Sequence, residues 1–195
     1  MLMETLDNWD GLMNFSLHMI ACGGTAMTLL DMKDSTKDID FVIPDATKYE
    51  KLMKFLHNIG YREKGGGWSH PADPLFLYQF WHGDRVFTTS LLDSPLQEGR
   101  HTLIKEWRHI YLAALNLLDL IITKVFRGTS VDMDDCIAIV KSGQVDPEEL
   151  LRRYVETAGY DTNPDDKMRK FRTFAGLLCS MELVDAAFVE QVKSN

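Results

Sequence analysis

The 195-residue sequence has few cysteines, no long apolar run and no excess of positive charge. Its three cysteines (Cys22, Cys136 and Cys179) are widely separated and form neither a CxxC pair nor a zinc-type group with histidine, so we expect them to be reduced. The N-terminus is acidic, unlike a signal peptide, and no apolar run reaches the roughly 18–20 residues that span a bilayer. These absences predict a soluble, cytoplasmic protein with no membrane segment.

Acidic residues outnumber basic ones, with 29 Asp and Glu against 21 Lys and Arg and a formal net charge of −8. Such a charge argues against broad, nonspecific binding to a nucleic-acid backbone, although a local basic patch can still serve one. Hydrophobic residues make up 45% of the sequence, which is enough for a folded core. The length allows one domain, or a core domain with a smaller appendage.

The pattern of apolar residues predicts mixed α/β structure first and helices afterwards. The predicted elements are a helix within 3–20, a short helix over 25–32, the strand "DIDFVIP", a helix over 46–59, a glycine-rich loop "GGGWSHPADP", paired strands "LFLYQFW" and "RVFTTSLL", and helices from Leu117 onward. We therefore predict an α+β fold. Its two parts are a mixed α/β core over 1–110 and a C-terminal helical region over 111–195 packed on that core.

Two aspartates, Asp38 and Asp40, open the predicted strand "DIDFVIP". Residues i and i+2 of a strand share one face, with Cα atoms about 6.5–7 Å apart. Two carboxylates this close repel each other unless a cation lies between them. Mg²⁺ suits that position because it favours one or two carboxylates plus substrate phosphates. The alternative is a solvated strand edge or a strand-end cap.

Gly23 and Gly24 lead into the predicted short helix that precedes this strand. A glycine pair lets a phosphate approach the backbone closely, and a helix N-terminus offers N–H donors to it. The alternative for the glycines alone is a simple turn. In combination, the glycine pair and the two aspartates predict a site that binds a nucleoside triphosphate with Mg²⁺.

The same segments resemble a known superfamily. "GGTAM" followed by "STKDIDFVI" resembles the G-G/S…DxD signature of the DNA polymerase β-like nucleotidyltransferases. A second segment, "LNLLDLIITKVFRGTSVDMDDCIAIV" at 115–140, resembles the helical pattern DLI-x-x-K…R…D-x-x-D. That pattern follows the catalytic core in AbiEii-type toxins and related nucleotidyltransferase-like domains. The resemblance spans residues 21–140 and implies a nucleotidyltransferase-like mixed sheet flanked by helices.

The resemblance also implies roles for individual residues. Gly23 and Gly24 would contact the triphosphate, Asp38 and Asp40 would ligate Mg²⁺, and Lys124 would approach the nucleotide phosphates from the helical region. The predicted cofactor-binding set is completed by Thr25, Thr36 and Lys37, while Asp119 and Asp135 match the acidic positions around Lys124. Without the resemblance, a solvated helix residue would be an equal interpretation of Lys124.

One expected group is displaced. Active members of the superfamily carry a third carboxylate inside a later strand, where it helps to deprotonate the attacking hydroxyl and holds the catalytic metal. The corresponding stretch here is "GDRVFTTSLLDS", whose interior holds no carboxylate. Asp84 and Asp93 are the candidates to replace it, and neither has the expected in-strand position.

Three functions stay open at this point. The first is Mg²⁺-dependent transfer of a nucleotidyl group from a nucleoside triphosphate to a hydroxyl of RNA or protein. The AbiEii-type resemblance gives it a specific version, a toxin that acts on tRNA or a protein acceptor and is paired with an antitoxin. The second is a nucleotide-binding or protein-interaction module of the same fold with weak or no turnover. The third is a structural domain whose aspartates only cap a strand.

Overall fold

A computed structural model describes residues 2–195, and its mixed sheet and helices confirm the predicted α+β class. The strands are β1 (Leu17–Ala21), β2 (Asp38–Ile43), β3 (Arg62–Lys64), β4 (Gly67–His70), β5 (Asp73–His82), β6 (Arg85–Val86), β7 (Thr89–Ser90), β8 (His101–Glu106) and β9 (Ile110–Leu115). The helices are α1 (Leu2–Leu12), α2 (Gly23–Leu29), α3 (Ala46–Asn58), α4 (Leu117–Arg127), α5 (Ser130–Lys141), α6 (Pro147–Gly159), α7 (Pro164–Ser180) and α8 (Ala186–Ser194).

The main sheet has the strand order β3-β4-β5-β2-β1-β9-β8. Two neighbouring pairs are parallel, β2 with β5 and β1 with β9, while β1 and β2 run antiparallel. β1 and β2 are therefore central strands, which explains why their sequences are nearly all apolar after the first residues. This arrangement sets the carboxylate-bearing strand in the middle of the sheet, between β1 and β5.

The predicted helix within 3–20 was wrong in its second half. α1 ends at Leu12, and Leu17–Ala21 forms the central strand β1. The apolar residues of α1 that are buried, Leu6 and Trp9, do follow helical spacing. Beyond them, pairing of β1 with β9 decides the structure, and that pairing joins Leu17 to Ile110 far along the chain. Local periodicity carries no information about such a partner.

The predicted strand "RVFTTSLL" was also wrong, because it breaks into the short strands β6 and β7. Phe87 lies between them with φ of 53°, a left-handed conformation that interrupts a strand. The expected loop "GGGWSHPADP" instead contains β4, which pairs with β3 around Gly65 and Gly66, both at positive φ. The prediction also missed β8, the edge strand beyond β9.

The chain forms two compact units. The first contains the chain up to Val86 together with Asp93–Leu115, and the second contains Phe87–Leu92 and Asn116–Asn195. In the first, Trp9 packs against Tyr61 and Tyr78, with ring centroids 5.4 and 5.2 Å away. Burial there raises the pKa of Tyr78 to about 12. This aromatic cluster fills one face of the sheet.

The second unit consists mainly of helices α4 to α8 and also contains the short strand β7. Tyr154 and Phe171 stack with ring centroids 4.1 Å apart in its core. Asp146 caps α6 by accepting from the Glu148 N–H, and Pro147 takes the first helical position. Within residues 2–195, no helix is long and apolar enough to cross a membrane.

Candidate nucleotide and metal site

The glycine pair and the two aspartates lie together in the first unit. β1 ends at Ala21, α2 begins at Gly23, and the intervening Cys22 donates its backbone N–H to the carbonyl of Asp40 at 3.0 Å. Gly23 has φ of 58°, a conformation that favours glycine. The start of α2 is thus held against the carboxylate-bearing end of β2, as a phosphate-and-cation site requires.

Thr25 and Thr36 fix the start of β2 through their hydroxyl groups. The buried Thr25 hydroxyl donates to the carbonyl of Asp38 at 3.2 Å and accepts from the N–H of Asp40 at 2.9 Å. The Thr36 hydroxyl donates to the same Asp38 carbonyl at 3.1 Å. Cys22, and not Thr25, holds the N-cap position of α2, and its side chain makes no capping bond. Thr25 instead ties α2 to the carboxylate strand.

Gly24 is a position where only glycine fits. A Cβ added there would lie 2.5 Å from the Thr36 hydroxyl oxygen, closer than any real Cβ contact. We expect Gly24→Ala to destabilise the fold by about 1–3 kcal/mol through overpacking. Gly11→Ala in α1 is the control, since nothing lies within 4 Å of that Cβ. It should stabilise the fold by about 0.5–1 kcal/mol.

Urea denaturation of both glycine variants and the wild-type protein checks this prediction. Equal effects of the two substitutions would contradict the close approach of α2 to Thr36. Adding Thr36→Ala to Gly24→Ala removes the hydroxyl oxygen but leaves the Thr36 Cβ, 3.1 Å from the added Cβ of residue 24, so only part of the loss should be recovered.

Asp38 and Asp40 lie on the face of β2 opposite the aromatic cluster. Ile39 lies between the two aspartates and Phe41 follows them, and both are buried. Phe41 stacks on Phe80, with ring centroids 6.1 Å apart. The Asp38 side chain is exposed, whereas Asp40 is buried. Lys37, immediately before the pair, is exposed. One solvent-facing and one buried carboxylate on the same strand face can bind a cation that also contacts a ligand in solvent.

The chemistry of this donor set fits Mg²⁺. Both side chains offer hard anionic oxygens, and Mg²⁺ commonly takes one or two protein carboxylates and completes its shell with phosphates and water. Across residues 2–195, no group of three or more His, Cys, Asp or Glu side chains could hold a metal ion. Asp84 and Asp93 therefore do not join the pair, and Asp93 instead binds Arg100 with an N–O distance of 2.9 Å.

The strand beside β2 was misidentified from the sequence. β5, not the stretch that contains β6 and β7, pairs with β2 in parallel. In that register Asp40 lies opposite Gln79 and Asp38 lies opposite Leu77. Sequence reasoning missed Gln79. Its signal was nevertheless present, since Gln79 carries the only carboxamide in the apolar run "LFLYQFW".

Lys124 lies in a buried ion-pair network of the second unit. Its ammonium donates to Asp135 at 2.7 Å and lies 3.9 Å from Asp132, and both partners are largely buried. Asp132 also accepts from Arg127 and from Thr129, the N-cap of α5. A phosphate contact by Lys124 stays a prediction, and it would require the ammonium to exchange a carboxylate for phosphate.

Asp119, the other acidic match, pairs with a residue that sequence reasoning missed. Arg153 of α6 donates through Nε and Nη2 to the two carboxylate oxygens of Asp119, at 2.6 and 2.9 Å. Both residues are buried, with 2% and 4% exposure. Asn116, the N-cap of α4, also donates to Asp119. The acidic positions of the helical motif thus hold its helices together within the second unit.

Comparison with known proteins agrees with the fold. The chain is similar in structure to the antibiotic-resistance factor ANT(2'')-Ia, with a TM-score of 0.51 and 11% identity over 93% of this chain and 95% of that one. The two proteins therefore share a fold. Residues 3–182 match the family described as "Nucleotidyltransferase of unknown function (DUF6036)", and the chain belongs to this family. No curated protein sequence matches the chain.

These findings refine the resemblance seen in the sequence. They support the nucleotidyltransferase superfamily, which the motif around Asp38 and Asp40 had indicated. They do not single out the AbiEii-type toxins within it. The toxin role, the metal and the acceptor are therefore matters of proposal.

Proposed function

We propose that this protein binds a nucleoside triphosphate together with Mg²⁺ and transfers its nucleotidyl group to a hydroxyl. The observation that carries the proposal is the junction of Gly23 and Gly24 with Asp38 and Asp40, held by the Thr25 hydroxyl, in a chain of a nucleotidyltransferase family. In the transfer, the acceptor oxygen forms a bond to the α-phosphorus, the bond between the α-phosphorus and the oxygen that bridges to the β-phosphate breaks, pyrophosphate leaves, and the proton of the acceptor hydroxyl passes to solvent water.

The chain's own residues have distinct parts in this proposal. Asp38 and Asp40 would hold Mg²⁺. When bound, this ion neutralises part of the negative charge of the triphosphate. The backbone N–H groups at the start of α2 would orient the phosphates, because Gly23 and Gly24 leave room for close approach. The Thr25 hydroxyl holds the backbone of both aspartates, through the Asp38 carbonyl and the Asp40 N–H.

The acceptor in this proposal is a hydroxyl of RNA, such as a tRNA, or of a protein. The net charge of −8 disfavours an acceptor held by nonspecific contacts to a phosphate backbone. The sequence resemblance to AbiEii-type toxins extends the proposal to a toxin that is paired with an antitoxin.

A second candidate function is nucleotide binding without turnover. It is favoured by one observation, that no third Asp, Glu, His or Cys among the described residues joins the pair. Transfer needs a group that takes the proton of the acceptor hydroxyl, whereas binding does not. The two candidates share the same site and differ only in turnover.

Thermal unfolding with each nucleoside triphosphate, in Mg²⁺ and in a chelator, tests the shared part of the proposal. A ligand at 100 times its dissociation constant stabilises the fold by about 2.7 kcal/mol. For a chain of this length that corresponds to a rise in Tm of roughly 5–10 °C. We expect the rise in Mg²⁺ and not in the chelator.

Incubation of the protein with a labelled nucleoside triphosphate then separates the two functions. Label that becomes covalently attached to RNA or protein indicates transfer. A magnesium-dependent rise in Tm with no attached label favours the binding module. If no nucleotide changes the Tm, the site does not bind nucleotides and both candidates fail.

A further inference from the structure

Gln79 occupies a defined position beside the carboxylate pair. The parallel register of β2 and β5 sets Gln79 opposite Asp40. Neighbouring strands lie about 4.7–4.9 Å apart, and residues paired in register project to the same face of a sheet. The side chains of Gln79 and Asp40 therefore leave the sheet side by side, on the same face.

The packing of the two residues that flank Gln79 confirms this direction. Tyr78 contacts Trp9, with ring centroids 5.2 Å apart, and Phe80 stacks on Phe41. Both rings belong to the aromatic face of the sheet. Because successive side chains of a strand alternate, Gln79 must point to the opposite face, where the carboxylates lie. It is half-buried there.

The chemistry of a carboxamide differs from that of a carboxylate in charge and in basicity. Gln has nearly the shape of Glu, but it is neutral and cannot take up the proton of a hydroxyl. Two-metal sites hold their ions about 3.5–4 Å apart and need anionic oxygens to bridge or flank both. Asp38 and Asp40 supply two carboxylates, and within residues 2–195 no third metal-binding side chain joins them.

We propose that Gln79 restricts the Asp38–Asp40 site to a single divalent cation, an inference that rests on the proposed function. One cation with the triphosphate is sufficient for binding the nucleotide. The neutral amide beside Asp40 attracts no second cation and accepts no proton from the acceptor hydroxyl. The site is thus specialised for holding a metal–nucleotide complex, and any transfer it performs is slow.

Counting bound Mn²⁺ by electron paramagnetic resonance tests this inference. Mn²⁺ replaces Mg²⁺ as the probe, and a nucleoside triphosphate analogue with a methylene group between the α- and β-phosphates prevents turnover. We expect one bound Mn²⁺ per wild-type chain. Gln79→Glu should bind two, with spin coupling between neighbouring ions. Affinity for the second ion should rise by about tenfold or more, because one added unit charge a few ångströms from a cation is worth at least that much.

Three further variants accompany Gln79→Glu, two as controls and one as a replacement. Gln97→Glu adds the same charge in an exposed turn outside the sheet and should leave one ion bound. Gln79→Ala adds no charge and should also leave one ion. If Gln79→Glu fails to fold, Gln79→Asp provides a second variant with a carboxylate at this position.

The outcomes separate the inference from the function on which it rests. Two tightly bound ions in the wild-type protein, or a single ion in both carboxylate variants, would overturn the role of Gln79 while the nucleotide site stands. Absence of Mn²⁺ binding in the wild-type protein with every nucleotide analogue would overturn the proposed function itself.

Discussion

Under the proposed function, Asp38→Asn and Asp40→Asn should each lower magnesium-dependent nucleotidyl transfer by about 100-fold or more. Groups that merely support a metal ligand already cost about 10- to 100-fold when removed, so loss of a ligand should cost at least as much. In the binding assay, the double variant should lose the nucleotide-induced rise in Tm. Initial rates with labelled nucleoside triphosphate measure the first effect, and thermal unfolding measures the second.

Asparagine keeps the shape of aspartate, so the fold should survive these changes. The start of β2 is held by Thr25 and Thr36 through the backbone of residues 38–40, and neither bond uses a carboxylate. Asp34→Asn, in the exposed turn before β2, is the matched control for loss of one negative charge. Wild-type magnesium dependence in both single variants would show that the metal lies elsewhere.

A second large effect is expected on stability, from the buried pair of Asp119 and Arg153. Replacing either residue with leucine leaves its partner charged and buried, which costs about 3–5 kcal/mol. For a chain of this size the loss corresponds to a fall in Tm of roughly 10 °C. The change should be largest in probes of the helical unit, such as the near-ultraviolet signal of its tyrosines.

The neighbouring arginine provides the control. The Arg152 side chain is 68% exposed and lies 4.0 Å from Glu149, so Arg152→Leu should cost less than about 1 kcal/mol. The double variant Asp119→Leu/Arg153→Leu removes both charges and should recover much of the loss, because no unpaired charge remains buried. If Arg153→Leu cost no more than Arg152→Leu, the buried pair would have no stabilising role.

The elements that the sequence predicted well are those with strong local signals. β2 combines an apolar run with Pro44 at its end, and α6 begins with Asp146 and Pro147. β1 was predicted as helix because its apolar residues fit both the helical and the strand periodicity. Pairing with β9, which lies far along the chain, makes it a strand. Phe87 gives no sign in the sequence of its left-handed conformation.

The residues of the candidate site likewise fall into those that the local sequence indicated and those that it did not. Gly23, Gly24, Asp38 and Asp40 lie in one short segment, so their spacing alone indicated their chemistry. The place of Gln79 depends on the register between β2 and β5, which no local pattern specifies. Likewise, Arg153 becomes the partner of Asp119 only when α6 packs against α4. Long-range pairing is what the sequence could not provide.

The central position of β1 has a consequence for synthesis on the ribosome. β1 and β2 leave the ribosome well before β9, the parallel partner of β1, which ends only at Leu115. Until then the nascent chain exposes one unpaired edge of a strand whose residues are almost entirely apolar. Open edges of this kind are templates for pairing with other chains. The first unit therefore depends on the prompt arrival of its last strand to avoid aggregation during translation.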